Sequence, residues 1–184
     1  MKKISELARK NNIKMHLDGA RIFLATPYTG IKVKEYCSYF DTVYVSLYKY
    51  FNAASGAILA GPKSFIEPLF HTRRMFGSGL SQAWPFTVIA NYYVDGFEER
   101  FAKSVAISET LFTNLAKHNQ FTIERIANGT NITKLKLENV NGKIFTENLI
   151  KNSIDTRYRD TSPNELLLQT NESLLNSTAQ ELEN

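Results

Sequence analysis

Apolar and polar residues alternate along this chain with two different periods, and each period predicts one kind of secondary structure. Period-two alternation, or a short apolar run closed by a turn, predicts strands over residues 13–17, 42–47, 56–60, 121–125, 130–137, 155–159 and 165–170. Helical spacing predicts helices over residues 3–11, 33–39, 63–76, about 82–117, 145–151 and 174–182.

The order of these elements predicts two domains. Residues 1–100 alternate helix and strand, which is typical of an α/β domain with a mostly parallel sheet, whereas residues 101–184 have the segregated strands and helices of a small α+β domain. The helix predicted around 82–117 is long enough to join the two domains. Because the first helix leads directly into a strand, as in the second part of a βαβ unit, we expect residues 1–100 to be only the back half of the larger domain.

Composition narrows the classes of function. With 184 residues and 43% hydrophobic content the chain can bury a real core, and its formal charge of +4 suits an anionic small molecule better than nucleic acid. The single cysteine, Cys37, excludes an internal disulfide, and three scattered histidines predict no metal site. No run of apolar residues has the length of a signal core or a membrane span, so we expect a cytoplasmic protein without a membrane partner.

Three side chains that follow predicted strands carry the candidate chemistry. Asp18 and Arg21 follow the strand over residues 13–17, and Lys49 follows the strand over residues 42–47. A carboxylate that keeps a pyridine nitrogen protonated, a guanidinium that binds an oxyanion and an amine that attacks an aldehyde are what a pyridoxal phosphate (PLP) enzyme needs. The aromatic neighbours of Lys49 predict partial shielding of its amine from water, which favours the neutral, nucleophilic form.

Each of these residues also has a simpler interpretation. Asp18 could cap the following helical turn or pair with Arg21, and Lys49 could be an ordinary exposed lysine. Four other residues are weaker candidates. Ser46 could donate a hydroxyl to the cofactor phosphate, Arg73 and Arg74 could bind the same anion, and His16 lies on the same strand face as Asp18, where it could touch the cofactor or be a hydrogen-bonded core histidine.

The motifs around these residues carry a family resemblance. The segments H-L-D-G-A-R-I-F, S-x-x-K, G-A-I-L-A-G and R-R-M-F-G-S-G resemble the threonine aldolase and aromatic amino acid beta-eliminating lyase family of PLP-dependent fold-type I enzymes. The resemblance implies that Asp18 binds the pyridinium, Arg21 holds a cofactor oxygen or the substrate carboxylate, and Lys49 forms the Schiff base. It also implies a homodimer or homotetramer and the C-terminal portion of the family fold.

The implied reaction is retro-aldol cleavage of a β-hydroxy-α-amino acid, such as threonine, to glycine and an aldehyde. A PLP-dependent β-eliminating lyase or transaminase on the same fold, and an inactive remnant of such an enzyme, are the alternatives. The family's phosphate-binding Gly-Thr loop is not found in this sequence, which also predicts an incomplete chain.

Three positions depart from the family pattern. Tyr50 replaces the glycine that usually follows the lysine, and it would narrow the site entrance or present a phenol to the substrate. Ser81 and Leu167 occupy positions where the family has arginines for the cofactor phosphate and the substrate carboxylate. Arg157 or Arg159 is a candidate replacement for the second of these arginines.

Overall fold

A computed structural model describes residues 1–79, 81–126, 131–156 and 164–183 of the chain. These residues group into two units, Met1–Phe97 and Glu98–Asn184. In the described part of the chain, no helix combines the length and the apolar character that crossing a membrane requires.

The first unit is built on a three-stranded sheet of described residues, in the order β1 (His16–Asp18), β2 (Thr42–Ser46) and β3 (Ala57–Ala60). β1 and β2 are parallel, and β3 returns antiparallel to β2. The helices of this unit are α1 (Lys2–Lys10), α2 (Thr26–Thr29), α3 (Val33–Ser38), α4 (Lys63–Ile66), α5 (Leu69–Met75) and α6 (Trp84–Val94). The predicted order of helix, strand, helix and two strands is therefore observed up to Ala60, with a 3₁₀ turn (Ile22–Leu24) and α2 in addition.

The two faces of this sheet differ in chemistry because side chains alternate along each strand. Leu17 of β1 and Val43 of β2 are paired, and they are buried together with Ile22 and Tyr36. The opposite face carries the polar residues of both strands, which are His16, Asp18, Thr42, Tyr44 and Ser46. The apolar face supplies the core, and the polar face is available for the site.

An aromatic cluster anchors the loop that follows β2. The rings of Phe23, Tyr50, Phe51 and Phe97 lie with centroids between 4.5 and 6.2 Å apart, most of them in edge-to-face arrangements. Phe51 is only 2% exposed, and its backbone N–H donates to the carbonyl of Leu47 at 3.2 Å. Such ring pairs contribute about 0.5–1.5 kcal/mol each to stability beyond burial of their surface. The buried rings on its inner side therefore stabilise this loop.

The second unit contains α7 (Phe97–Leu115, which begins at the last residue of the first unit), β4 (Phe121–Arg125), β5 (Ile132–Leu137), α8 (Gly142–Lys151), β6 (Glu165–Gln169) and α9 (Ala179–Glu183). Its strands form an antiparallel sheet in the order β4-β5-β6. Leu135, Leu137 and Leu166 make the core. The other face carries the charges, where Lys134 lies within 4 Å of both Glu124 and Glu165.

Three predicted helices are interrupted in the structure. The long helix expected around 82–117 is two helices, α6 and α7, because the chain turns at Asp95 and Gly96, where Gly96 has a φ of 65° that side chains disfavour. The helix expected over 63–76 is divided into α4 and α5, where Pro68 cannot donate a helical hydrogen bond. The helix expected over 174–182 is divided into a 3₁₀ turn (Glu172–Asn176), which Asn171 caps, and α9.

The strand predicted over 155–159 is not observed at Asp155 and Thr156. Its remaining positions, with the candidate arginines Arg157 and Arg159, lie outside the described residues.

Candidate active site

The site is assembled at the carboxyl ends of β1 and β2. Asp18 is the last residue of β1 and pairs with Tyr44, while Ser46 is the last residue of β2 and Lys49 lies three residues further on. Since the carboxyl ends of parallel neighbours lie at one edge of a sheet, Asp18, Arg21 and Lys49 are delivered to the same edge. All three side chains are exposed.

The bend after β1 holds the acid and the guanidinium. The Oδ1 atom of Asp18 accepts a hydrogen bond from the backbone N–H of Ala20 at 3.1 Å, which fixes the carboxylate in the turn. Gly19 donates its own N–H to the carbonyl of Tyr44 at 2.8 Å. Among the ion pairs of the described residues, none joins Asp18 to Arg21, so the pairing that would neutralise both groups is absent.

Lys49 is placed by its neighbours in the loop. Tyr50 and Phe51 turn into the aromatic cluster, and Lys49 is left on the outside with its Nζ atom 5.8 Å from the centroid of the Tyr48 ring. The expectation that aromatic residues shield the amine is therefore wrong for this structure. Tyr50 and Phe51 occupy the inner side of the loop, and Lys49 faces solvent, as Tyr48 does.

Tyr50 itself has a buried hydroxyl. Burial raises the pKa of Tyr50, and the Phe23 backbone and the charge of Arg21 oppose this rise. Although the Phe23 backbone lies close to it, no described atom meets hydrogen-bond geometry with the Tyr50 hydroxyl. A substrate-binding role for Tyr50 stays a prediction, and its hydroxyl has no exposed surface here.

Ser46 and His16 occupy the polar face beside Asp18. Ser46 is fully buried, and its Oγ atom donates to the hydroxyl of Tyr44 at 3.2 Å. This hydrogen bond orients the Tyr44 side chain. His16 is exposed, and its Nδ1 atom lies 2.8 Å from the Oγ1 atom of Thr42. The hydrogen bond agrees with the alternative of a hydrogen-bonded core histidine, but the exposure of His16 contradicts a position in the core. Contacts of either residue with a cofactor stay predictions.

The remaining candidates lie away from these strand ends in sequence. Arg73 and Arg74 are in the last turn of α5, where the Arg74 guanidinium lies 5.4 Å from the centroid of the Phe70 ring. Ser81 is exposed. In the second unit, Leu167 pairs with Lys134 of β5.

Tyr48 is a further residue beside Lys49, and no motif in the sequence marks it as a candidate for the site. Tyr44 and Ser46 are spaced by two, which is the signal that would have grouped their hydroxyls on one strand face, and Tyr48 follows in the loop after β2. Hydrogen bonding with the side chains of Ser46 and Tyr44 lowers the pKa of Tyr48, and the positive charges of Lys49 and Arg21 lower it further.

These residues fit PLP by the chemistry of their side chains. An exposed carboxylate suits a pyridinium nitrogen, an exposed amine suits an aldehyde, and a guanidinium that has no carboxylate partner among the described residues suits an oxyanion. The α/β fold that carries these candidate residues is that of PLP fold-type I enzymes.

Comparison with known proteins gives the family. The sequence model described as Beta-eliminating lyase matches residues 1–138, and the chain therefore belongs to the beta-eliminating lyase family. Its α/β fold is that of the family's threonine aldolases, as the sequence predicted.

Two relatives and one solved structure illustrate the similarity. The low-specificity L-threonine aldolase of Candida albicans is 43% identical over 95 residues, which are 52% of this chain and 25% of the relative. The alanine racemase TOXG of Cochliobolus carbonum is 38% identical over 90 residues, 49% of this chain and 23% of the relative. A candidate L-allo-threonine aldolase of Listeria monocytogenes has a TM-score of 0.81 and 26% identity over 99% of this chain and 53% of its own. The matched region is thus about half of the solved chain and about a quarter of each of these relatives.

Proposed function

We propose that this chain contributes to a PLP-dependent lyase that cleaves a β-hydroxy-α-amino acid, with threonine or allo-threonine as the substrate class, into glycine and an aldehyde. The observation that carries the proposal is the exposure of Asp18, Arg21 and Lys49 at one edge of the sheet. Similarity to threonine aldolases supports the choice of substrate.

The residues would divide the work at this edge. Lys49 would bind the cofactor covalently through its amine, Asp18 would hold a proton at the pyridine nitrogen, and Arg21 would bind a cofactor oxygen or the substrate carboxylate. When bound, PLP supplies the electron sink for the electron pair left at the substrate α-carbon. His16 and Ser46, next to Asp18 on the polar face, would orient these groups.

Product analysis tests the reaction class. The purified chain is first incubated with PLP. Separate samples then receive L-threonine, L-allo-threonine, L-serine or L-alanine. We expect glycine and acetaldehyde from the first two. Pyruvate from serine would instead support β-elimination, and D-alanine from alanine would support racemisation, which similarity to the alanine racemase makes worth measuring. A cofactor bound at Lys49 without any glycine would overturn the aldolase proposal.

We further propose that the protein is a homodimer or homotetramer, as resemblance to the family implies. Large aromatic side chains on one stretch of the first unit support this, since Phe76 is 81% exposed, Trp84 65% and Tyr92 76%. Light scattering of the purified protein should give a mass of two or four chains of 20.9 kDa. A monomer mass across the micromolar range would contradict the proposal.

A further inference from the structure

Arg21 and Lys49 lie in two separate turns of the first unit. Arg21 directly precedes the 3₁₀ turn Ile22–Leu24. Lys49 lies within the turn that is closed by the hydrogen bond from the Phe51 N–H to the Leu47 carbonyl, at 3.2 Å. Backbone hydrogen bonds fix the shape of each turn, but the separation of the guanidinium from the amine depends on a contact between the turns.

The ring of Phe23 provides such a contact. Its centroid lies 5.0 Å from that of Phe51, in an edge-to-face arrangement at 81°, and 5.9 Å from that of Tyr50. Phe23 also packs against the buried residues on the apolar face of the sheet. Tyr50 and Phe51 directly follow Lys49, and Phe23 is two residues after Arg21, so at most about 7 Å of backbone separates each charged residue from this ring contact.

The two charged side chains share one electrostatic environment. Both are exposed, and among the ion pairs of the described residues none involves Arg21 or Lys49. Burial raises the pKa of Tyr50, the residue after Lys49, and the positive charge of Arg21 opposes this rise. Two cations that repel each other across a short distance favour a ligand that brings negative charge between them.

We propose that Phe23 is a positioning residue for Arg21 and Lys49. By packing on Tyr50 and Phe51, its ring holds the guanidinium and the amine at a separation at which both act on one ligand. That ligand carries an aldehyde for the amine and an anionic oxygen group for the guanidinium. Edge-to-face ring pairs suit this role because they restrict orientation as well as distance. The role rests on the proposed function only in giving Arg21 and Lys49 the same ligand.

Paired small aldehydes test whether the two side chains act together. The anionic probes are 3-formylbenzoate and 4-formylbenzoate, and the neutral probes are the corresponding formylbenzamides. The amine condenses with the aldehyde with loss of one water, and cyanoborohydride reduces the carbon–nitrogen double bond, so peptide mass spectrometry can quantify the label on Lys49. We expect the anionic-to-neutral labelling ratio of Lys49 to exceed that of Nα-acetyl-lysine by about three- to fivefold, as an exposed ion pair allows. Arg21→Ala should remove this excess.

Phe23→Ala tests the positioning role itself. We expect the labelling ratio of Lys49 to fall to that of Arg21→Ala, while labelling by the neutral probes stays close to the wild-type value because the amine remains exposed. In the Arg21→Ala background, Phe23→Ala should lower the ratio no further, since the ring acts only through the guanidinium. A wild-type ratio in Phe23→Ala overturns the proposal, and so does a wild-type protein whose ratio equals that of Nα-acetyl-lysine.

Two more variants separate positioning from a general loss of packing. Phe145→Ala removes a partly buried ring of the second unit, whose centroid lies 5.7 Å from that of Phe121, and should leave the labelling ratio of Lys49 unchanged. Tyr50→Ala leaves the pair of Phe23 with Phe51 in place and should give an intermediate ratio, which keeps the test available if Phe23→Ala does not fold. A fall of the ratio in Phe145→Ala, or none in Tyr50→Ala, overturns the proposal.

These experiments contain neither PLP nor an amino acid substrate. Absence of glycine from threonine would therefore count against the proposed function and leave the test of Phe23 intact.

Discussion

Replacing Lys49 with alanine is expected to abolish the borohydride-stable link between this protein and PLP. Lys49 is exposed at the edge where β1 and β2 end, and an amine that is free to reach an aldehyde is the chemical requirement for such a link. The measurement is mass spectrometry of peptides after incubation with PLP and reduction with borohydride. The wild-type protein should carry the cofactor on the peptide that contains Lys49, and the variant should carry none above background.

Lys63→Ala is the matched control for this experiment. Lys63 is also an exposed lysine of the first unit, with 82% of its side chain exposed and a surface ion pair to Glu67 at 3.3 Å. Its removal should leave labelling at Lys49 unchanged, because an exposed pair of this kind contributes little to stability. Equal labelling of many lysines in the wild-type protein, or labelling of Lys49→Ala at the wild-type level, would show that the cofactor reacts with amines at random.

Gly19→Ala is expected to have the second largest effect, because it places an atom where the backbone of β2 already lies. A Cβ atom at this position would come within 2.8 Å of the carbonyl oxygen of Tyr44, which is the acceptor of the Gly19 N–H. A backbone carbonyl cannot move aside as a flexible side chain can. We expect a loss of about 1–3 kcal/mol in the free energy of unfolding, measured by urea denaturation, since forced overpacking typically costs this much.

The control is Gly79→Ala, where an added Cβ would meet no atom of the described residues within 4 Å, apart from its chain neighbours. This variant should unfold within about 0.5 kcal/mol of the wild type, or be slightly more stable because alanine restricts the unfolded chain. The narrow bend at Gly19 lies between Asp18 and Arg21, so we also expect Gly19→Ala to reduce PLP labelling of Lys49. Unfolding of Gly19→Ala at the wild-type urea concentration would contradict the close approach of β1 and β2.

The two variants report on different parts of the same site. Lys49 depends on the aromatic cluster, which turns Tyr50 and Phe51 inward and leaves the amine outside. Asp18 and Arg21 depend instead on the bend at Gly19. Loss of PLP labelling with an unchanged free energy of unfolding would therefore show that a reactive group is missing. Loss of both would show that the bend at Gly19 is distorted.

Much of the site could be predicted because its residues follow short strands with clear alternation. Leu17, Val43 and their polar neighbours define which face of each strand is buried, and this places Asp18 and Lys49 at strand ends. The points where glycine and proline interrupt a helix were less predictable. Gly96 and Pro68 each interrupt a helical pattern that continues on both sides, so periodicity alone predicted one helix where two form.

The sequence by itself determined the family, the α/β class of the first unit and the acid, guanidinium and amine of the candidate site, because these follow from local patterns and motifs. Only the tertiary structure decided that Lys49 is exposed while Tyr50 is turned inward, and that Ser46 donates to Tyr44. Those outcomes depend on which partner each ring and hydroxyl finds across the unit. A contact between residues far apart in the chain, such as that of Phe51 with Phe97, leaves no period in the sequence from which it can be predicted.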